Sequence, residues 1–496
     1  MSTKILTAAI NGLNAEIVKV EADNSSGEFG QIAIVGLPDA AVSEARERVK
    51  SALKNCGSAY PKRKITVNLA PANLKKQGSG YDLPIALCVL ALNNDFKFNF
   101  QEALFGGELS LDGEIRPLRS VLPLIIAARK AGLKAAFIPA ENCAEAGLIP
   151  EIKIYPINSL RQLLFFLKKQ QEPKQYQRIA SIKKTADINP WAQIKGQEKA
   201  KRALAISAAG RHNLIMSGPP GSGKSLLAQS LADIMPDLNN EEQLSVAKIH
   251  SIAGDFIKIA EKLKRPPFRA PHHSASPASI LGGGRGPKPG EITLAHHGLL
   301  FLDELPEFPR QILDSLRQPL EQRKILISRA EQHLEYPADF LLIAAMNPCP
   351  CGYFGDKQIE CRCPETAVKR YQQKISGPIW DRFDLQIHIP RLSPQELSNY
   401  NESPPPPFQK IISARRQQLN RQKASNAAAD DKYLRIWQQN SPAAEKIALK
   451  AAETLHLSAR SYQRIFRVAR TIADLEGKEN IEAEDLAEAL SYRRQR

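Results

Sequence analysis

Residues 211–225 read Arg-His-Asn-Leu-Ile-Met-Ser-Gly-Pro-Pro-Gly-Ser-Gly-Lys-Ser, and the last eight of them decide the fold. An apolar strand at 213–217 runs into a glycine loop made of Gly218, Pro219, Pro220, Gly221, Ser222, Gly223 and Lys224, and a helix follows from Ser225 to about 234. Strand, glycine loop and helix in this order form the context that a phosphate-binding loop requires. The glycines let backbone N–H groups approach phosphate oxygens, and the helix N-terminus adds partial positive charge. Lys224 is expected to reach the β- and γ-phosphates, and Ser225 to hold Mg²⁺. The cofactors implied are ATP and Mg²⁺.

Working outward, Gly298-Leu-Leu-Phe-Leu-Asp-Glu304 is an apolar strand that ends in two acids. Asp303 fits the carboxylate facing magnesium, and Glu304 fits the base that polarises the attacking water. The plain alternative is a strand closing in an acidic turn. Residues 340–346 form another apolar strand, and Asn347 after it fits a polar residue that positions the lytic water. Ile379-Trp-Asp-Arg-Phe-Asp-Leu385 resembles the corresponding segments of the MCM helicases and of the magnesium chelatase ATPase subunits. That resemblance makes Arg382 an arginine finger reaching into a neighbouring subunit; a local ion pair with Asp381 or Asp384 is the other reading. Ser458-Ala-Arg-Ser-Tyr-Gln-Arg464 resembles the MCM sensor 2 segment, with Arg460 preferred to Arg464 for that role. A site completed by its neighbour needs a dimer or a ring. The resemblance to AAA+ ATPases favours a homo-hexamer.

Cys349-Pro-Cys351 and Cys361-Arg-Cys363 follow the Asn347 strand. Four thiolates on one loop suit a tetrahedral structural Zn²⁺, although C-x-C is less typical than C-x-x-C. Free thiols or a redox pair remain the alternative. Cys56, Cys88 and Cys143 stand singly in apolar contexts and read as reduced core residues. The stretch at about 250–297 is long for a plain P-loop core. Its Arg285 and Lys288, among Gly282, Gly283, Gly284 and Gly286, could present positive charge on a loop that touches a nucleic-acid backbone; the resemblance to AAA+ proteins of this kind implies that such inserts face the ring pore. A flexible surface loop explains them equally. The pairs His272-His273 and His296-His297 invite a metal reading, but adjacent side chains point in different directions.

The chain carries a formal charge of +16. Residues 1–180 hold 23 basic and 17 acidic side chains and the remainder 45 and 35, so the excess is not one charged tail. Such a balance suits a polyanionic partner. No run approaches the roughly 18 apolar residues of a membrane span. With no secretory pattern at the start, the expected location is cytoplasmic, without membrane contact.

Phe268-Arg-Ala-Pro-His-His-Ser274, Leu281-Gly-Gly-Gly284 and Pro289-Gly-Glu-Ile-Thr-Leu-Ala295, with Arg470-Thr-Ile-Ala-Asp-Leu475 in the lid, resemble the competence-associated, magnesium-chelatase-like AAA+ proteins of bacteria over essentially the whole chain. The resemblance implies a hexameric DNA motor, a helicase that drives branch migration during natural transformation. Its expected partners are single-stranded and branched DNA and the recombinase machinery.

The first 168 residues resemble the proteolytic domain of Lon, through Gly107-Glu-Leu-Ser-Leu-Asp-Gly-Glu-Ile-Arg-Pro117 and the helix and strand at 127–139. Lon works through a Ser–Lys dyad. Here Gly80 falls on the nucleophile with Ser79 one place off, and Val121, Leu122, Pro123 and Leu124 stand where that family carries its lysines. The fold is expected without peptidase activity. Lys62–Lys64 and Lys75–Lys76 could touch DNA or simply form a solvated face.

The fold expected is α/β with a helical C-terminal lid. A Lon-protease-like (ribosomal S5-type) α/β domain at 1–168 is followed by a linker at 169–190 and an AAA+ P-loop domain with a parallel sheet at 191–395. A proline-rich, basic connector at 396–440 and a helical lid at 441–496 complete the chain. A DNA translocase is the leading reading. A chelatase-type ATPase subunit or another AAA+ remodelling factor is the runner-up, and an ATP-dependent protease comes last.

Overall fold

The computed structural model describes residues 4–25, 31–58, 63–92, 96, 98–170, 173–177, 189–284, 288–329, 332–356, 358–393, 396, 403–454 and 457–493. They form two compact units, residues 1–182 with 244–261 and residues 183–243 with 262–496.

The first unit is built on a seven-stranded sheet. Its strands are β1 (Lys4–Asn11), β2 (Asn14–Ser25), β3 (Ile32–Val35), β4 (Lys64–Ala70), β5 (Ala103–Phe105), β6 (Ala135–Pro139) and β7 (Lys153–Ile157), in the order β3-β4-β2-β1-β5-β6-β7. β1 and β2 pair from Lys4↔Glu21 to Asn11↔Asn14, closing on a tight two-residue turn. The helices α1 (Ala40–Asn55), α2 (Asp82–Ala91) and α3 (Val121–Lys130) accompany it. After Asp82, α2 is apolar throughout, and it is buried from Asp82 to Leu90, as a helix enclosed on all sides must be. Its one charge, Asp82, takes two hydrogen bonds from Arg48 at 2.7 and 3.0 Å.

The second unit carries α4 (Glu198–Gly210), β8 (Leu214–Ser217), α5 (Lys224–Ile234), the start of α6 (Asn240–Ala253), β9 (Phe268–Arg269) and β10 (Leu299–Leu302). The hairpin β11 (Lys324–Arg329) and β12 (Gln332–Pro337) follows α7 (Arg317–Gln322). Then come β13 (Leu341–Met346), β14 (Leu385–His388), α8 (Phe408–Gln422), α9 (Ala459–Leu475) and α10 (Ala483–Ser491). Its main sheet has the order β9-β10-β13-β8-β14, and every pairing in it is parallel. A parallel sheet covered on both faces needs continuous apolar strands. β10 and β13 are buried at every position. On β8, Leu214 and Met216 join one hydrophobic cluster and Ile215 joins the other, the two-residue alternation of a strand serving two cores.

Two boundaries differ from the sequence reading. Residues 244–261, expected inside the ATPase core and the start of its insertion, cluster with the first unit. There Ser120 Oγ donates to the Ser251 carbonyl at 3.2 Å and Lys248 Nζ to Asn14 Oδ1 at 2.7 Å. Residues 408–440, expected as a connector whose 408–423 stretch is helical and very basic, are part of the packed core. Ile411, Ala414, Leu434 and Trp437 lie in the same core as the sheet and α9. No described helix is long and apolar enough to cross a membrane.

Candidate ATPase site

Strand order brings the site together. β8 lies between β13 and β14, and the registers Ser217↔Met346, Ser217↔His388 and Leu302↔Ala344 align the carboxyl ends of these strands. Whatever follows each strand therefore opens onto one edge of the sheet, where ligands bind in open α/β folds. Those residues are Gly218–Ser225, Asp303 with Glu304, and Asn347.

The loop is shaped by Gly223, whose φ of 85° leads directly into α5. Lys224 Nζ turns back onto the Gly218 and Pro219 carbonyls, both at 2.8 Å, and lies 3.4 Å from Asn347 Oδ1. These are weak acceptors for an ammonium, and phosphate oxygens can replace them. Burial pulls the lysine pKa below its ordinary value, opposed by the nearby Asp303 and Glu304 carboxylates. Ser225 Oγ donates to Asp303 Oδ2 at 2.9 Å, the pairing expected of two groups that share one Mg²⁺. Glu304 is exposed, and its Oε2 lies 3.3 Å from His273 Nδ1.

The two sequence-selected arginines sit at the other end of the sheet. Arg382 precedes β14, whose Leu385 pairs with Leu214 at the amino end of β8, while the glycine loop follows its carboxyl end. One strand of four residues, about 13 Å, separates the two edges. Arg382 is buried and forms an ion pair with Glu321 on α7, not with Asp381 or Asp384. Arg460 Nη1 reaches the same Glu321 carboxylate at 3.2 Å and is exposed. Burial, then the Arg460 charge, lowers the Arg382 pKa against the pull of Glu321. Arg464 instead lies buried 3.1 Å from Asp384. Burial raises the Asp384 pKa, but Arg464 and His212 outweigh it and hold the carboxyl well below the usual range. Arg464 is thus occupied inside the subunit, whereas Arg460 faces outward.

The four cysteine sulfurs all lie within 4.8 Å of one another. The Cys349–Cys351, Cys349–Cys361 and Cys351–Cys361 separations are 3.4, 3.7 and 3.6 Å. Thiolates bound to Zn²⁺ at about 2.3 Å in a regular tetrahedron stand about 3.8 Å apart, so the group fits that ion. A disulfide would need about 2.05 Å.

Other sequence-selected residues fare differently. Arg285 and Lys62 lie outside the described residues. Lys288 is exposed on the short pairing of Gly282–Gly283 with Lys288–Pro289. Lys76 is fully buried with its ammonium on the Pro71 carbonyl, which corrects its assignment to a solvent-facing basic cluster. Ser79 Oγ meets the Glu108 carboxylate, and Val121, Leu122 and Leu124 are buried apolar residues opening α3. Neither histidine pair joins a group of three metal-ligating side chains among the described residues. His272 Nδ1 bonds Ser274 Oγ at 2.7 Å, and His296 Nδ1 accepts from the Asp339 N–H at 3.1 Å. Sequence reasoning missed His273 as the partner of Glu304 and Glu321 as the carboxylate shared by the two arginines. It also missed the hairpin of β11 and β12 between the acidic strand and β13; the apolar run Ile325-Leu326-Ile327 followed by the alternation Leu334-Glu335-Tyr336 was its signal.

Compared with known proteins, residues 190–397 match the family model described as magnesium chelatase, subunit ChlI, and residues 407–493 the model of that subunit's C-terminal region. Residues 20–142 match a model described as subunit ChlI of Mg-chelatase. The chain is similar to competence protein ComM of Haemophilus influenzae, 41% identical over 503 residues that cover 99% of this chain and 97% of that one. It is also similar to the uncharacterized protein YifB of Salmonella typhimurium, 42% identical over 98% of this chain and 96% of that one. The magnesium-chelatase 38 kDa subunit of Rhodobacter capsulatus is 26% identical over 34% of this chain and 53% of its own length.

Proposed function

The chain belongs to the ComM and magnesium-chelatase-like family of AAA+ ATPases, and from that premise we propose that it is a cytosolic, hexameric DNA motor, a helicase that drives branch migration during natural transformation. Single-stranded and branched DNA are its substrates, and the recombinase machinery its setting. The observation that carries the motor reading is the split of the site between two sheet edges. Lys224 takes the β- and γ-phosphates, and Ser225 with Asp303 holds the Mg²⁺ that neutralises charge on them. Glu304 orients and deprotonates the water, and Asn347 fixes its position. Arg382 lies at the opposite edge of its own sheet, paired with Glu321; exchanging that partner at a subunit interface, it and Arg460 serve the site of a neighbour, where an arginine stabilises charge on the transferred phosphoryl group. In the same reading the four cysteines hold a structural Zn²⁺.

The DNA assignment is supported by the +16 charge and by a full-length relative named for competence. It is tested by the ATPase rate of purified protein with and without single-stranded or forked DNA, followed by branch migration of three- and four-stranded substrates with a Lys224→Ala control. Stimulation and strand exchange are expected. A rate unmoved by DNA, with no DNA binding at low salt, removes the assignment. The chelatase-type reading is favoured by the family descriptions, which extend to residues 20–142, so the N-terminal domain does not by itself argue against it. DNA-independent ATPase activity would move the conclusion there.

A further inference from the structure

The loop at 347–364 contains no helix or strand among its described residues, and its large apolar side chains Phe354 and Ile359 are 46% and 36% exposed. Among these residues, burial of apolar side chains is thus confined to the start, at Pro348 and Cys349, and does not extend to Phe354 and Ile359. Yet it is tied in on all sides. The Phe354 N–H donates to Cys349 Sγ at 3.3 Å, Gln372 Nε2 to the Pro348 carbonyl at 2.9 Å, and Arg391 lies over the Tyr353 ring at 5.7 Å. Four clustered thiolates repel one another unless a cation sits among them, and in small loops of this kind metal binding supplies the folding energy.

What this clamp holds in place is the nucleotide loop. Gly352, one residue beyond Cys351, has a φ of 88°, and a Cβ built on it would stand 2.6 Å from Pro220 Cδ and 2.8 Å from Pro220 Cγ. Pro220 lies within the glycine loop, two residues before Ser222. At the root of the same loop, Asn347 Oδ1 lies 3.4 Å from Lys224 Nζ. The knuckle thus approaches the phosphate-binding loop at Pro220, and the residue leading into it, Asn347, approaches the loop's lysine.

We propose that the Cys349, Cys351, Cys361 and Cys363 zinc knuckle positions the phosphate-binding loop by seating Gly352 against Pro220, so that metal occupancy sets the affinity for ATP. This rests on reading the four cysteines as zinc ligands. Gly352 acts through Pro220 and is a positioning residue; it makes no contact with nucleotide.

The test uses the full chain and two readouts, bound zinc by atomic emission and ATP affinity by titration with a fluorescent ATP analogue. Wild-type protein is expected to carry one zinc per chain. Gly352→Ala should keep its zinc and bind ATP about tenfold more weakly. Gly355→Ala is the control for backbone strain alone, because Gly355 also has a positive φ of 77° but nothing within 4 Å of its added Cβ. It should keep both zinc and wild-type affinity. Removing zinc from the wild-type protein with a chelator should weaken ATP binding as much as Gly352→Ala does, whether or not a Cys361→Ser, Cys363→Ser double variant folds. A wild-type chain without zinc overturns the metal reading. A zinc-loaded wild type whose affinity neither the chelator nor Gly352→Ala changes overturns the coupling and leaves the metal site standing.

Discussion

Glu304 adopts a left-handed backbone with φ 52°, unusual for a residue with a side chain, two residues after the end of β10. That turn presents its carboxylate to His273 at 3.3 Å and leaves it exposed at the edge where Lys224, Ser225 and Asp303 meet. Strain of this kind collects at functional sites. Glu304→Gln keeps the size and the acceptor oxygen but cannot take a proton. ATP affinity should therefore stay at the wild-type level while kcat falls by about 10²- to 10⁴-fold; Lys224→Ala should instead lose the binding itself. Equal loss of binding in both variants, measured by nucleotide titration, would contradict Glu304 as the base and Lys224 as the phosphate ligand. The residues of this edge were legible because each follows an apolar strand with a fixed chemical signature. His273 was not, since it stands 31 residues before Glu304 and reaches it only because β9 and β10 pair side by side.

Among the elements, α8 and the turn before β10 show how far charge can mislead. The helix over 408–422 was legible as helical and very basic, part of the charge excess that suited a polyanionic partner. In the structure Arg415 donates to the Ala208 and Ala209 carbonyls at the end of α4, at 2.6 and 2.9 Å, and Arg421 grips the buried Asp474 with two bonds of 2.9 and 2.8 Å. A run of residue types does not say which charges turn inward. The His296-His297 pair invites a metal reading that its adjacent spacing argues against, and in the structure His296 is structural. His296 Nδ1 accepts a backbone hydrogen bond, so the ring is neutral there. Burial, and then His297, lowers its pKa from 6.5 to about 3, with Asp339 opposing. Between those values only the unfolded chain binds the proton. The histidine therefore costs nothing above about pH 6.5, and stability falls as the pH drops below it, by at most about 1.4 kcal/mol per pH unit. His296→Asn retains an acceptor oxygen and does not titrate. The urea midpoint of the variant should decline less steeply than that of the wild type between pH 6.5 and 5; parallel slopes would mean that this ring does not set the acid limit.

For the molecule as a whole, the division into an N-terminal α/β unit and a P-loop unit was readable from the polar stretch at 169–190, but the return of residues 244–261 to the first unit was not. A helix such as α6 carries no local mark of the domain that buries it, and its Val246, Ile249 and Ser251 are buried without a distinctive pattern. The same limit applies to assembly. Arg382 and Arg460 were identified by resemblance, but only the strand register shows that they lie at the edge away from their own glycine loop. If each site joins the loop of one subunit to the arginines of the next, the two halves can be broken separately and recombined. Arg382→Ala subunits retain a working loop, Lys224→Ala subunits retain working arginines, and each alone should be inactive as an ATPase. Mixed in equal amounts and allowed to exchange subunits, random assembly makes about a quarter of the interfaces whole. The mixture should then regain ATPase activity in roughly that proportion, read by phosphate release against the two pure variants. A mixture as inactive as its components, although size-exclusion chromatography shows that mixed rings form, would return Arg382 to a role within its own subunit, as the partner of Glu321 and nothing more.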